Sequence, residues 1–316
     1  MLFNDLIEAG MVCCPNTGVT LEKLEPWLYS SERTGALFPI ICDTPVLHPD
    51  MEPFLEASFR SVARAMAEIG LTGEARDWFF SRFDSFSSVQ EPEMDSGIQG
   101  EGYPGFWNQL TLADFVQKLV ALPPEQRIMD MIGDHRPGCG LDLGCGQGGM
   151  MQRMAGVCSK VVGLDNNFFL TASANRFLRA SEIPIRYFIP EQGPKQTSLV
   201  KRPVHNALAI CGDANFLPFN RNSFDWVHCG HFLDLVDDPA ELVEQLLEVM
   251  DRDALLTIAT PWDTERADHF EIMFKVLEHD FEELHRQDGV PWLRFNHKRR
   301  FVLHDDWLWM GRRLRR

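Results

Sequence analysis

No apolar run in this chain approaches the roughly 18 residues a membrane-crossing helix requires. The start, "MLFNDLIEAGMVCC", lacks a basic segment ahead of an apolar one. These absences lead us to expect no membrane association, no secretory leader and a cytoplasmic location. Positive charge is scarce: 30 basic residues stand against 46 acidic ones, a formal charge of −16. An acidic chain repels phosphate backbones, so the balance argues against nucleic acid as a partner. The exceptions are "HKRR" (297–300) and "GRRLRR" (311–316), which read as a solvated basic edge strand and tail. The eight cysteines (Cys13, Cys14, Cys42, Cys139, Cys145, Cys158, Cys211 and Cys229) are scattered. Several sit in apolar runs, where a free thiol acts as a small hydrophobe, which suits a reducing compartment. There is no internal repeat and no low-complexity segment.

What remains is an ordinary globular composition, 45% hydrophobic and 24% charged over 316 residues, enough for one large domain or two smaller ones. Residues 11–49 hold short apolar runs broken by "PNTG" and "RTG", which favours strands joined by turns. From 51 the pattern turns helical: Phe59, Val62, Met66 and Ile69 fall on one helical face, and "EARDWFFSRF" reads as a second helix. Residues 88–105 are acidic and glycine-rich, and "TLADFVQKLVAL" reads as a helix capped by Thr111. From 140 onward strands alternate with helices, which argues for a parallel sheet covered on both faces. The link 181–206 is unusually long for a compact domain. The tail "RRFVLHDDWLWMGRR" offers one or two closing antiparallel strands.

"LDLGCGQGG" (141–149) is the stretch with chemistry. Gly144, Gly146 and Gly149 satisfy the G-x-G-x-x-G spacing of a dinucleotide site, and Asp165 follows at the distance of a ribose-binding acid. The letters alone allow a nicotinamide dehydrogenase or a methyltransferase using S-adenosylmethionine. Four strand ends bear on the choice. Asp142 can reach the amino group of an aminoacyl-type ligand, whereas beside a pyrophosphate it would be repelled. Asp165 in "VVGLDNN" can accept from both ribose hydroxyls. Asp213 in "CGDANFLPF" can take an adenine amino group, and "NSFDWVHCGHFLDLVDDP" supplies a fourth strand ending at Cys229. Open α/β sheets bind ligands at such strand ends.

This ordered series, closed by "LLEVMDRDALLTIATP", resembles the class I S-adenosylmethionine-dependent methyltransferases over about 140–262. The resemblance implies a Rossmann-like α/β fold: a seven-stranded, mostly parallel sheet with one antiparallel strand and helices on both faces. It implies cofactor contacts at Asp142, Gly144, Gly146, Asp165, Asn166, Asp213, Ala214 and Cys229. The usual proline-glycine-glycine turn before the fifth strand is replaced by "DRDA". A second resemblance lies in "CCPNTGVTLE" and "GALFPIICDTPVLHP", which look like the small zinc-ribbon-like activator of tRNA and release-factor methyltransferases. Structural zinc needs four well-placed ligands, and this stretch offers only Cys13, Cys14 and Cys42, so a metal-free β module is expected. The expected divisions are a β-rich module at 1–50, a helical connecting or lid region at 51–125, and the cofactor-binding domain at 126–316.

Methyl transfer from a sulfonium asks the protein to align an acceptor and, for a hydroxyl or protonated amine, to remove a proton. His231 is the expected base, with His228 and Asp234 beside it; His228 is expected on the buried side of its strand. Trp262, Asp263, Tyr103, Phe106 and Trp107 are candidates for the acceptor pocket. The [D/N]-P-P-[Y/F] signature of adenine- and glutamine-modifying enzymes is missing, its place taken by "HCGH". The expected acceptor is a small molecule methylated on oxygen or nitrogen. The alternatives are a peptide or protein acceptor docked through the N-terminal module, and a non-catalytic cofactor-binding partner.

Overall fold

The computed structural model describes residues 2–83, 124–189, 193–261, 267–297 and 300–315. The chain opens with a short helix α1 (Phe3–Glu8), then four strands, β1 (Leu21–Glu25), β2 (Leu28–Ser31), β3 (Leu37–Ile41) and β4 (Thr44–Leu47). Helices α2 (Met51–Ala57), α3 (Phe59–Ile69) and α4 (Glu74–Arg82) follow. On α3, Val62, Ala65 and Met66 are buried, and Phe59 stacks on Phe79 of α4 at 5.3 Å. Ile69, expected on the same face, is 45% exposed because the helix ends beside it at left-handed Gly70.

After α5 (Pro124–Ile132) the chain alternates: β5 (Cys139–Leu143), α6 (Gly149–Met154), β6 (Lys160–Asp165) and α7 (Phe168–Arg179). The long link is a hairpin, β7 (Glu182–Ile189) and β8 (Gly193–Val200). Lys201 just beyond it donates to the carbonyls of Phe177 and Leu178 at 2.9 and 3.2 Å, satisfying the open end of α7. Then come β9 (Ala207–Gly212), β10 (Phe224–Gly230), α8 (Pro239–Val249), β11 (Met250–Thr260), α9 (Ala267–Asp280), β12 (Phe281–His297) and β13 (Arg300–Arg313). "DDP" starts α8 as its letters require: Asp238 accepts from the Ala240 and Glu241 N–H groups, and Pro239 fills the first turn. "DRDA" lies inside β11, with Asp253 itself taking the left-handed backbone (φ 64°).

Among the described residues the main sheet has eleven strands rather than seven, in the order β1-β2-β3-β4-β9-β6-β5-β10-β11-β13-β12. The excess arises because β4 adds to the edge of β9 in parallel, and β3, β2 and β1 continue antiparallel from it. The β-rich segment is therefore continuous with the parallel sheet. Only Val46–Cys211 and Leu47–Gly212 are in register at this junction. A Cβ on Gly212 would lie 2.9 Å from the Leu47 carbonyl oxygen, so the close approach needs glycine. Earlier along β9, a side chain does the work of a strand. Asn175 of α7 exchanges two 2.9 Å bonds with the backbone N–H and C=O of Ala209 and donates to Thr44 Oγ1 at 3.1 Å.

β13 is antiparallel to both β11 and β12 and lies between them, so the basic tail strand is not an edge; β12 is. The last β11 residue in register is Thr260, opposite Trp307, while β12 and β13 stay paired as far as His297 and Arg300. The distal half of this hairpin overhangs the rim where the parallel strands end.

Strand alternation sends Leu141, Leu143, Val227, Cys229, Leu256 and Ile258 into a core beneath α8 and α9. Trp226, Leu255, Ala259, Leu308 and Met310 enter the opposite core with residues of α5, α6 and α7. Each such burial contributes about 1.5–3 kcal/mol per large aliphatic side chain. No helix among the described residues is long and apolar enough to cross a membrane.

Candidate active site

β9, β6, β5 and β10 lie side by side, and their C-terminal ends bring most of the expected residues to one rim. Asp142 sits one residue inside the end of β5, on the sheet face opposite Leu141 and Leu143. It is buried, and its Oδ2 has no hydrogen-bond partner. Burial, reinforced by the charge of Asp165, pushes its carboxyl up to about 8 against a stabilising Met151 N–H. Its register neighbour on β10 is His228, on the same face. His228 is buried as expected, bonded through Nδ1 to Thr257 Oγ1 at 2.9 Å, and burial pushes it down to about 3, helped by nearby His231.

The glycine turn leaves β5 through Gly144 (φ 72°), whose N–H donates to the Leu164 carbonyl at 2.8 Å. A Cβ there would stand 2.8 Å from the Phe232 ring, whereas one on Gly146 (φ 49°) would meet nothing within 4 Å. The third left-handed glycine is Gly148, and Gly149 is simply the first residue of α6. Asp165 ties this turn to the next: its Oδ2 accepts from Gly146 N–H at 3.0 Å and its Oδ1 from Asn167 N–H at 2.8 Å. Burial raises the Asp165 carboxyl despite those two bonds.

Asp213 follows β9, half-buried, with Oδ1 accepting from the backbone and side chain of Asn215 at 2.9 and 3.0 Å. Its charge reaches His48, at the end of β4, where it opposes the dominant effect of burial, which lowers that imidazole. The N-terminal segment thus brings His48 and its stacking partner Phe54 close to a strand end of the parallel sheet. Ala214 is buried and Asn166 exposed. The Cys229 side chain faces the α8–α9 core, which leaves only its backbone for the rim.

His231 follows β10 directly, in the left-handed region (φ 51°), its N–H donating to the Ala259 carbonyl at 2.7 Å. Its Nε2 lies 2.7 Å from Oδ2 of Asp306, a fully buried carboxylate on β13, and its ring stacks on Trp292 of β12 at 3.6 Å. Asp234 is partly buried, with Oδ1 unpartnered among the described residues. Asp306, Trp292, Phe232 and His48 escaped the sequence reading. Only Asp306 left a signal there, as an acid inside the apolar alternation of "DWLWM". Tyr103, Phe106, Trp107, Thr111, Trp262 and Asp263 lie outside the described residues.

Among the described residues no cluster of three or more His, Cys, Asp or Glu is placed to hold a metal. Cys14 and Cys42 belong to different cores, and burial pushes the Cys13 and Cys42 thiols up to about 11 and about 12.

An aminoacyl nucleoside fits these residues. The buried Asp142 Oδ2 lacks a donor of the kind an ammonium supplies. The glycine turn is open above Gly146, and carboxylates stand at successive strand ends. Residues 141–258 match a family model described as a methyltransferase domain. The protein is accordingly an S-adenosylmethionine-dependent methyltransferase, with S-adenosylmethionine as its cofactor. Solved structures similar to it include a SAM-dependent methyltransferase from Methanosarcina mazei (16% identity, 62% of this chain and 100% of that one, TM-score 0.44). The N-methyltransferase NodS from Bradyrhizobium japonicum is similar at 12% identity, over 65% of this chain and 100% of that one, TM-score 0.44. A SAM-dependent methyltransferase from Aquifex aeolicus is similar at 12% identity, over 67% and 98%, TM-score 0.42. No curated protein matches the chain.

Proposed function

We propose that this protein methylates an oxygen or nitrogen of a small-molecule acceptor, with His231 as the base. The observation that carries the reading is the pairing of two features on one rim. The donor-hungry Asp142 and its open glycine turn end β5, and an imidazole ends the adjacent β10. When bound, the cofactor supplies a methyl group on a sulfonium, already activated for in-line displacement.

In this reading Asp142 holds the amino end of the cofactor, Asp165 the ribose hydroxyls and Asp213 the adenine amino group. Gly144 and Gly146 give the backbone its close approach, and Asn166, Ala214 and the Cys229 backbone complete the rim. The two bonds Asp165 already accepts leave lone pairs for ribose, because each carboxylate oxygen can accept twice. His231 removes the acceptor's proton where the acceptor needs it. The eight unpaired thiols support a reducing, cytoplasmic setting.

A second reading, a peptide acceptor docked through residues 1–50, draws support from the continuity of β1–β4 with the cofactor-binding sheet and from His48 beside Asp213. We read 1–50 as an activator-like module fused in cis, 51–125 as a connecting or lid region, and 126–316 as the cofactor-binding domain.

The test is transfer of a labelled methyl group from S-adenosylmethionine into size-fractionated cell extract. Label in the small-molecule fraction that disappears with His231→Ala, while S-adenosylhomocysteine still stabilises the variant, supports the first reading. Label confined to polypeptide moves the assignment to the second. No label in any fraction leaves a cofactor-binding partner protein.

A further inference from the structure

Asp306 follows the alternation of Leu308 and Met310 along β13 and so shares the sheet face of Asp142 and His228, and we infer that it is the positioning residue of His231. The hairpin then supplies the carboxylate half of a histidine–carboxylate pair, and the basic atom is Nδ1. The inference rests on the reading of His231 as base and adds to it the atom that acts and the element that aims it.

A carboxylate only accepts hydrogen bonds, so the 2.7 Å contact with Asp306 Oδ2 places the proton of a neutral His231 on Nε2. The lone pair is left on Nδ1, for which no hydrogen-bond partner appears among the described residues. The ring has little freedom to turn. Trp292 lies against it at 3.6 Å and 23°, and His304, the cross-strand neighbour of Trp292, stacks behind at 5.1 Å. Its backbone is held by Ala259, in the left-handed conformation that non-glycine residues adopt only at an energetic cost.

Asp306 carries the stronger argument. It is fully buried, its Oδ1 has no partner, and His231 is its hydrogen-bonding mate among the described residues. An apolar residue would pin the hairpin to the sheet at lower cost, since a buried ion pair commonly gains nothing over well-packed hydrophobic side chains. The arrangement gains a purpose if His231 becomes cationic in turnover. A hydroxyl or protonated amine gives its proton to Nδ1, and the resulting imidazolium keeps its Nε2–H on the Asp306 carboxylate. The acceptor is therefore one that must lose a proton.

The test combines nitrogen NMR of the histidine side chains with turnover. His231 is assigned in the full-length protein, with S-adenosylhomocysteine present, by the signal that His231→Gln removes. The expected neutral tautomer in the parent is Nε2–H. Asp306→Asn shifts it toward a mixture or Nδ1–H, and Asp306→Glu restores it. With the acceptor found in the extract assay, Asp306→Asn lowers kcat by about 100-fold, at the low end of a general base's contribution. KM for S-adenosylmethionine and stabilisation by S-adenosylhomocysteine hold. An unchanged tautomer in Asp306→Asn overturns the inference, and so does a changed tautomer with unchanged kcat, which makes the pair a structural pin. If Asp306→Asn does not fold, Asp306→Glu must show the Nε2–H tautomer, and Nδ1–H there refutes the inference. Full turnover by His231→Gln sinks the reading of His231 as base, a failure separate from any tautomer result at Asp306.

Discussion

Asp142 and His228 are register partners on adjacent parallel strands and face the same side of the sheet, yet burial moves their ionisation in opposite directions. Asp142 is pushed up to about 8 and His228 down to about 3, so near neutrality the row Asp142–His228–Thr257 is an uncharged strip under the glycine turn. An amino group arriving at Asp142 must therefore find or create a carboxylate.

Stability of the ligand-free protein should reflect both groups. Asp142 rises from 3.8 to about 8 on folding, so its contribution is lost as pH climbs through that span. His228 falls from 6.5 to about 3, so its contribution grows with pH until 6.5 and is constant above. The two slopes oppose each other below 6.5, and from there to about 8 the Asp142 slope acts alone. Urea denaturation at pH 6.5 and 8 should show declining stability that Asp142→Asn abolishes. A decline surviving in the variant has another origin.

Binding should show the reverse trend. If Asp142 receives the ammonium, it ionises on binding, so affinity for S-adenosylhomocysteine rises between pH 6 and pH 7.5 and a proton is released. Calorimetry in two buffers of different ionisation enthalpy measures that proton. Asp142→Asn should remove the release and weaken binding by about 10-fold or more, the scale of a lost hydrogen bond to a charged group. Equal enthalpies in both buffers would contradict the assignment.

The two left-handed glycines should separate by what a methyl group meets. Gly144→Ala drives a Cβ into the Phe232 ring and strains the backbone, so a loss of about 2–4 kcal/mol is expected from chemical denaturation. Gly146→Ala carries the backbone strain alone, about 1–2 kcal/mol, with its methyl in open space. Its larger effect should fall on S-adenosylhomocysteine affinity.

Asn175→Ala should cost about 2–4 kcal/mol, since it orphans the N–H and C=O of Ala209 at the seam between β4 and β9. Hydrogen exchange should show faster opening of β1–β4 in this variant. Unchanged protection there would mean that the two residues in register carry the seam unaided.

The parallel core was legible in the letters because burial on both faces demands continuous apolar runs, and "KVVGLD", "ALAICG" and "FDWVHC" are such runs. Asp142 and Asp165 were legible because acids at the ends of such runs are conspicuous. The partners of His231 were not. Asp306 and Trp292 lie 75 and 61 positions further along, and only the pairing of β13 with β11 on one side and with β12 on the other makes them neighbours of that imidazole.

Local pattern thus determined which segments are strands, where the backbone turns on glycine and which strand ends carry carboxylates, because each depends on a few consecutive residues. Tertiary structure decided that the N-terminal strands extend the sheet, that Cys229 turns inward while Asp142 turns toward the glycine turn, and that His231 is held by the far hairpin. Those outcomes depend on strand order and register, which the long-range packing of the whole chain selects and no short window of sequence encodes.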